Sequence, residues 1–219
     1  MANLYKDILT PELIKLELAK QKRADSKTIS ASMLSTSKKV LKDDLSKSYG
    51  SATRKAAVLF TILNDNNVLK LLLTLRNKEL RTHPGQISFP GGKIDKNDID
   101  STSCALREAK EEVGINPDSV KILGDLDECL TGSGFLVKPI VGFIKDQYHF
   151  NLNYSEVIEI YKVPLVYFLD PTKFTVSTWE GPNGIRNFYD IEWNSIRIWG
   201  ATARIIVNFY EYLNKTRFS

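Results

Sequence analysis

Apolar residues along this chain fall into short runs separated by polar turns. The runs at 56–63 and 68–75 flank Asn64-Asp65-Asn66-Asn67, a strong turn signal, and together they predict a β-hairpin. No apolar run approaches the roughly 18–20 residues of a membrane span. The other segments with strand-like patterning are 119–127, 137–144, 173–180 and 185–193.

Three longer segments have the features of helices. Thr10 and Pro11 supply a cap and a first-turn proline for a helix that begins at residue 11. A second helix is predicted over 101–113, with Gly114 as its stop, and a third over about 200–214. A short helix is also predicted at 155–160. Mixed strands with helices on both sides predict an α/β fold of the α/β/α sandwich type.

The helix at 101–113 has an acidic face and an apolar face. At about 100° per residue, Glu108, Glu111 and Glu112 share one narrow face. Like charges three and four residues apart repel, and a hard divalent cation removes that cost. A solvated, glutamate-rich surface helix is the alternative for this fragment. The long loop at 77–100, ahead of the helix, is typical of a functional segment.

The segment from Phe89 to Ile115 resembles the signature of the Nudix hydrolases. That signature runs Gly, five residues, Glu, seven residues, Arg-Glu, an apolar residue, any residue, Glu-Glu, any residue, Gly and an apolar residue. Two departures occur, because Asp98 replaces the first Glu and eight residues separate it from Arg107. The matching residues are Gly92, Arg107, Glu108, Ala109, Glu111, Glu112, Gly114 and Ile115.

The preceding stretch, residues 72–92, resembles the coenzyme A diphosphatase branch of that family. Asn77 departs from it, where a small Ser or Ala is usual. The stretches at 132–143 and 199–206 also fit this branch. The residues that match within 72–92 are Leu72, Leu73, Thr74, Arg76, Arg81, His83, Gly85, Phe89, Pro90, Gly91 and Gly92.

This resemblance implies a metal-dependent hydrolase that splits the diphosphate of coenzyme A or its thioesters into 3′,5′-ADP and 4′-phosphopantetheine. Mg²⁺ or Mn²⁺ is the implied cofactor, with Glu108 and Glu112 as ligands and Glu111 close behind. Glu156 and Glu159 are candidates to complete the metal shell, or are the edge of a solvated helix. Two alternatives stay open: a Nudix hydrolase of another nucleoside diphosphate derivative, and a non-catalytic ligand-binding module.

The resemblance also assigns substrate-binding roles. The implied catalytic set is Glu108, Glu111, Glu112 and Arg107. Arg107 is expected to orient a carboxylate such as Asp98. Gly91 and Gly92 are expected to bring the backbone close to metal and phosphate. Arg76, Arg81 and Lys93 are either phosphate-binding residues or surface cations. For His83 and Cys104 we expect structural roles, in the loop and in the core.

Charge separates the chain into two parts. Residues 1–55 hold 12 Lys and Arg against 6 Asp and Glu, whereas the remainder holds 18 against 20. We predict a basic N-terminal extension and linker over 1–50 and a Nudix domain over 51–214. Removal of residues 1–45 is expected to leave catalysis largely unchanged. The basic arm could touch nucleic acid or anionic lipid, or be a soluble tail.

Cellular context and partners are predicted from the remaining features. Few aromatic residues lie in the arm, so no nucleic-acid partner is expected. The expected partner is a small-molecule substrate, and a homodimer stays open. Two cysteines are too few for a disulfide scaffold, and no secretory or peroxisomal signal is recognisable. The predicted location is cytoplasmic.

Overall fold

The computed structural model describes residues 9–27, 54–181 and 184–215. Of the predicted N-terminal extension and linker at 1–50, only residues 9–27 are among them. The helices are α1 (Pro11–Lys27), α2 (Ser101–Val113) and α3 (Gly200–Lys215). The strands are β1 (Arg54–Asp65), β2 (Val68–Arg76), β3 (Ile87–Ser88), β4 (Gly91–Lys93), β5 (Lys121–Asp125), β6 (Cys129–Leu130), β7 (Phe135–Ile144), β8 (Val157–Pro164), β9 (Thr175–Gly181), β10 (Gly184–Trp193) and β11 (Ile196–Trp199).

The main sheet is mixed and has eight strands. Its central path runs β3-β2-β1-β7-β5, with β4 paired to β1, β6 to β7 and β8 to β2. The long β1 and β7 pair in parallel, whereas the other ladders of this sheet are antiparallel. No helix within the described ranges is both long and apolar enough to cross a membrane.

Both faces of the main sheet are covered, and β1 shows how. Phe60 and Ile62 point into the core that also holds residues of α1 and α3. Ala57 and Leu59 point into the opposite core, against the apolar face of α2. Because successive side chains of a strand alternate between faces, one apolar strand serves two cores. The predicted α/β/α sandwich is therefore the fold of this protein.

The ends of α2 are fixed by its sequence. Asp100 accepts a hydrogen bond from the backbone N–H of Ser103, whose hydroxyl accepts one from the N–H of Asp100, so the pair forms a capping box. Gly114 ends the helix with a left-handed φ of 74°. The predicted bounds of this helix and its glycine stop are confirmed.

Two predicted elements differ from the structure. The segment 155–160, predicted as a short helix, instead enters β8, which pairs antiparallel with β2. Its β-branched residues Val157, Ile158 and Ile160 suit the sheet better than a helix. The strands predicted at 173–180 and 185–193 exist, but they belong to a separate three-stranded sheet, β9-β10-β11.

The N-terminal helix is packed into the domain. Ile14 and Leu18 are fully buried, and Leu18 lies against Gly124 of β5, where an added Cβ would come within 3.2 Å of it. The expectation that residues 1–45 can be removed therefore needs a correction for stability, because removal would expose part of the core. The predicted domain boundary near residue 50 stays a prediction.

Leu18→Ala should lower the free energy of unfolding by about 3 kcal/mol, because it leaves a cavity where α1 meets β5. For a chain of this size that corresponds to a fall in Tm of roughly 5–10 °C, measured by differential scanning fluorimetry. Leu16→Ala is the matched control, since Leu16 is exposed on the same helix. Equal Tm values for the two variants would contradict the packing of α1.

Candidate active site

The site is built where β4 places two glycines beside α2. Gly92 pairs with Ala57 of β1, and Gly91 pairs with Val58. A Cβ at Gly92 would lie 2.5 Å from the carboxylate carbon of Glu108, and one at Gly91 would lie 2.5 Å from the carbonyl oxygen of Ala57. A side chain at Gly91 would clash with the backbone of β1, and one at Gly92 would displace the carboxylate of Glu108.

Glu112 is the buried acid of the site. Its side chain is 3% exposed, and one carboxylate oxygen accepts a hydrogen bond from the N–H of Gly91 at 3.2 Å. The guanidinium of Arg76 lies 3.6 Å from the other oxygen. Burial raises the pKa of Glu112 to about 8, even though Arg76 and the Gly91 N–H lower it. A carboxyl group this poorly hydrated needs a further cation before it can ionise fully at neutral pH.

Arg107 holds three carboxylates at the exposed side of α2. It donates to Glu108 at 2.8 Å and to Glu111 at 3.1 Å through one terminal nitrogen. Its other nitrogens donate to Asp98, both at 2.9 Å. The guanidinium is thus occupied by the protein, in an arrangement that orients Glu108.

Asp98 forms an ion pair with Arg107 although one extra residue separates the two in this sequence. Asp98 ends a turn in which its N–H donates to the carbonyl of Asp95 at 3.1 Å. The hydrogen bonds from Arg107 lower the pKa of Asp98 to about 2, despite its desolvation. The shorter Asp therefore makes the ion pair with Arg107, and the contact expected from the sequence is present.

Glu156 lies beside the acidic face of α2, just ahead of β8. Its backbone carbonyl accepts from the N–H of Asn77 at 2.7 Å. Its charge contributes to raising the pKa of both Glu108 and Glu112, although desolvation is the largest cause for each. Glu156 is therefore an electrostatic neighbour of both acids.

Asn153 is a residue of the site that the sequence reasoning missed. Its N–H donates to the carbonyl of Glu112 at 3.0 Å, and its side-chain amide donates to the Glu156 carboxylate at 3.3 Å. Its side-chain oxygen accepts from the N–H of Ser155 at 3.2 Å, which forms an Asx turn. In the sequence, Asn153 followed by Ser155 and Glu156 could have indicated an Asx turn directly ahead of an acid.

The other predicted site residues lie at varying distances from this centre. Glu111 is more than half exposed and meets only the outer side of Arg107. Arg81 and Lys93 are exposed. Glu159 is exposed as well, and its carboxylate accepts from the hydroxyl of Tyr161 at 2.7 Å. The structure thus brings Glu108, Glu112, Glu156, Arg76 and the two glycines together.

The two residues predicted to be structural have structural surroundings. His83, at a left-handed φ of 55°, contacts Gln86 at 3.0 Å and Ser133 at 3.3 Å through its two ring nitrogens. Cys104 is buried against β4, and desolvation raises the pKa of its thiol to about 12. A thiol with that pKa is a poor nucleophile.

The chemistry of the donors fits a hard divalent cation. Glu108, Glu112 and Glu156 offer carboxylate oxygens, which suit Mg²⁺ and Mn²⁺. Within the described ranges no three acidic, His or Cys side chains are already closed around a common point. Desolvation raises the pKa of both Glu108 and Glu112, so a bound cation would favour their ionised forms.

Comparison with known proteins identifies the family. The NUDIX domain model matches residues 52–158. A protein of Pectobacterium atrosepticum called uncharacterized Nudix hydrolase NudL is 40% identical over 153 residues, which are 70% of this chain and 79% of that protein. This chain belongs to the Nudix hydrolase family.

A second relative is named for its substrate. The mouse peroxisomal coenzyme A diphosphatase NUDT7 is 41% identical over 120 residues, 55% of this chain. The match spans about half, 51%, of the mouse protein. Nudix hydrolase 15 of Arabidopsis thaliana, named as mitochondrial, is 33% identical over 70% of this chain and 56% of its own length.

Proposed function

We propose that this Nudix hydrolase cleaves the diphosphate of coenzyme A or its thioesters, and yields 3′,5′-ADP and 4′-phosphopantetheine or its acyl derivative. The supporting observation is the segment 72–92. Its sequence resembles the coenzyme A diphosphatase branch, and it brings Arg76 and both glycines to the acidic helix. The name of the mouse relative agrees with this substrate.

The chain's own groups have separate roles in this reaction. Glu108, Glu112 and Glu156 would hold Mg²⁺ or Mn²⁺, with Glu111 at the edge. Arg107 fixes Glu108, and Asp98 holds Arg107 in turn. When bound, the metal neutralises the phosphate charge and makes a water nucleophilic. Arg76 and the exposed Arg81 and Lys93 supply cations that attract the phosphates of the substrate.

A substrate panel tests the proposal. Coenzyme A, an acyl-coenzyme A, a dinucleoside polyphosphate, ADP-ribose and a nucleoside triphosphate are each incubated with Mg²⁺ and with Mn²⁺. Products are identified by mass. The highest kcat/KM is expected for a coenzyme A species. A clear preference for another diphosphate would support the alternative Nudix hydrolase, and no turnover with either metal would support a ligand-binding module.

Arg81→Ala should raise the KM for coenzyme A about tenfold and leave kcat nearly unchanged, because an exposed guanidinium binds phosphate without touching the acidic helix. Arg76→Ala should lower kcat as well, since its partner Glu112 loses a cation. Both variants are assayed on coenzyme A and dephospho-coenzyme A, with Lys78→Ala as the control in the same loop. Replacement of a residue that binds the 3′-phosphate should raise the KM for coenzyme A and leave the KM for dephospho-coenzyme A unchanged. Wild-type kinetics of both variants on both substrates would show that neither arginine binds the phosphates of the substrate.

The proposal also covers the domain, its location and its assembly. The hydrolase domain runs over 51–214, with residues 1–50 as its extension. The protein works in the cytoplasm on a small molecule and without nucleic acid. A homodimer is the remaining expectation, and sedimentation velocity tests it by the presence of a species of twice the mass of 24.8 kDa.

A further inference from the structure

A cavity of about 590 Å³ lies beside the small sheet, apart from the acidic face. Its walls are the segment 129–132, strands β9 to β11 and the first residues of α3. Glu108, Glu112 and Glu156 are not among its lining residues. Most of the wall lies beyond residue 158, where the match to the family model ends.

One wall of the cavity is aromatic. Trp179, Phe188, Tyr189 and Trp199 all line it. Phe188 and Trp199 are packed edge to face, with ring centroids 5.7 Å apart. Trp179 and Trp199 are 51% and 40% exposed, which leaves indole surface available to a ligand. A nucleobase stacked on such a ring gains about 1–3 kcal/mol.

Arg204 supplies a cation to the cavity. Arg204 lines it and has no hydrogen bond or ion pair with any residue that the structure describes. The neighbouring Arg197 differs, because it is paired with Asp190 at 2.8 Å. Gly200 and Ala201, at the start of α3, line the same cavity. The first N–H groups of a helix lack intrahelical acceptors and favour an anion.

Two contacts connect this cavity with the loop that leads to the glycines. The hydroxyl of Thr202 donates to the carbonyl of Ile87 in β3 at 3.0 Å. Ser133, next to the lining residue Gly132, contacts His83 at 3.3 Å. The cavity therefore adjoins the segment 83–92, so one extended substrate can reach both places.

We propose that this cavity binds the nucleoside end of the substrate, with the base against the aromatic wall and a ribose phosphate at Arg204. This inference rests on the proposed function, and the ligand is accordingly the 3′-phosphoadenosine half of coenzyme A. An acyl chain would also suit aromatic walls, but it has no anion to offer Arg204. Charge complementarity therefore favours the nucleotide.

Binding of the two halves of coenzyme A tests the assignment without any turnover. Isothermal titration measures the Kd of 3′,5′-ADP and of 4′-phosphopantetheine for wild type, Arg204→Met, Trp199→Leu and Lys121→Met. The last is the charge control, since Lys121 is an exposed cation on β5. Arg204→Met should raise the Kd of 3′,5′-ADP at least about tenfold. The same variant should leave the Kd of 4′-phosphopantetheine within twofold of the wild-type value. Trp199→Leu should weaken the binding of 3′,5′-ADP and reduce the quenching of tryptophan fluorescence that the ligand causes.

Two results would overturn the assignment. One is a Kd for 3′,5′-ADP that both cavity variants leave within twofold of wild type, while their Tm shows them folded. The other is a loss confined to 4′-phosphopantetheine, which would make the cavity a site for the pantetheine or acyl half. Failure of the proposed function is a separate result, since it would appear as absent coenzyme A hydrolysis in the substrate panel and leaves these Kd values measurable.

Discussion

Glu112→Gln should lower kcat about 100-fold, equivalent to about 2.7 kcal/mol of barrier, while the protein stays folded. The amide keeps the shape of the carboxyl group and can still accept from the N–H of Gly91. It cannot supply the negative charge that a divalent cation requires. Turnover is measured at saturating Mg²⁺ and Mn²⁺, on the best substrate of the panel. Activity within about threefold of wild type, a change of only about 0.7 kcal/mol, would remove Glu112 from the metal site.

The same variant has an effect on stability that depends on pH. In wild type without metal, the pKa of Glu112 is raised from 4.5 to about 8, so the folded state keeps a proton that the unfolded chain releases. Stability is therefore lost as the pH rises through that window. Glu112→Gln removes this loss. In EDTA, the Tm of the variant minus the Tm of wild type should increase from pH 5 to pH 8. Added Mg²⁺ should raise the Tm of wild type more than it raises the Tm of the variant. A constant Tm difference across that window would contradict the shift.

Alanine at the two adjacent glycines should produce opposite defects. At Gly92 the added methyl group meets only the end of the Glu108 side chain, which can move aside. Gly92→Ala should therefore lower kcat about tenfold or more, by displacing a metal ligand, with a nearly unchanged Tm. At Gly91 the methyl group meets the β1 backbone at Ala57 and Val58. Gly91→Ala should cost about 2–3 kcal/mol of stability and roughly 5–10 °C of Tm.

Each glycine variant is the control for the other, because the chemical change is identical. Tm by scanning fluorimetry and kcat by product mass are measured for both. Wild-type turnover of Gly92→Ala would show that Glu108 does not act from its present position. An unchanged Tm for Gly91→Ala would show that β4 does not press on β1 as closely as its pairing indicates.

The sequence determined the local elements around the site because their signals are themselves local. The helix 101–113 is bounded by a cap and a glycine that act within one turn of its ends. The acidic face follows from residue spacing alone. The prediction of a helix at 155–160 is wrong. The segment is short enough for one helical turn only, and it becomes a strand because it forms hydrogen bonds with β2. Pairing between residues so far apart in the chain leaves no local signal.

Tertiary structure decided which acids meet and which cations face them. Spacing groups Glu111 with Glu108 and Glu112, but Arg107 holds Glu111 at the exposed edge while Glu156 approaches from β8. The sequence could propose Arg76 as a phosphate ligand, yet only the folded chain places it beside Glu112. The physical reason is that the sequence sets charge and periodicity, whereas burial and the distances between charges depend on how the strands pair.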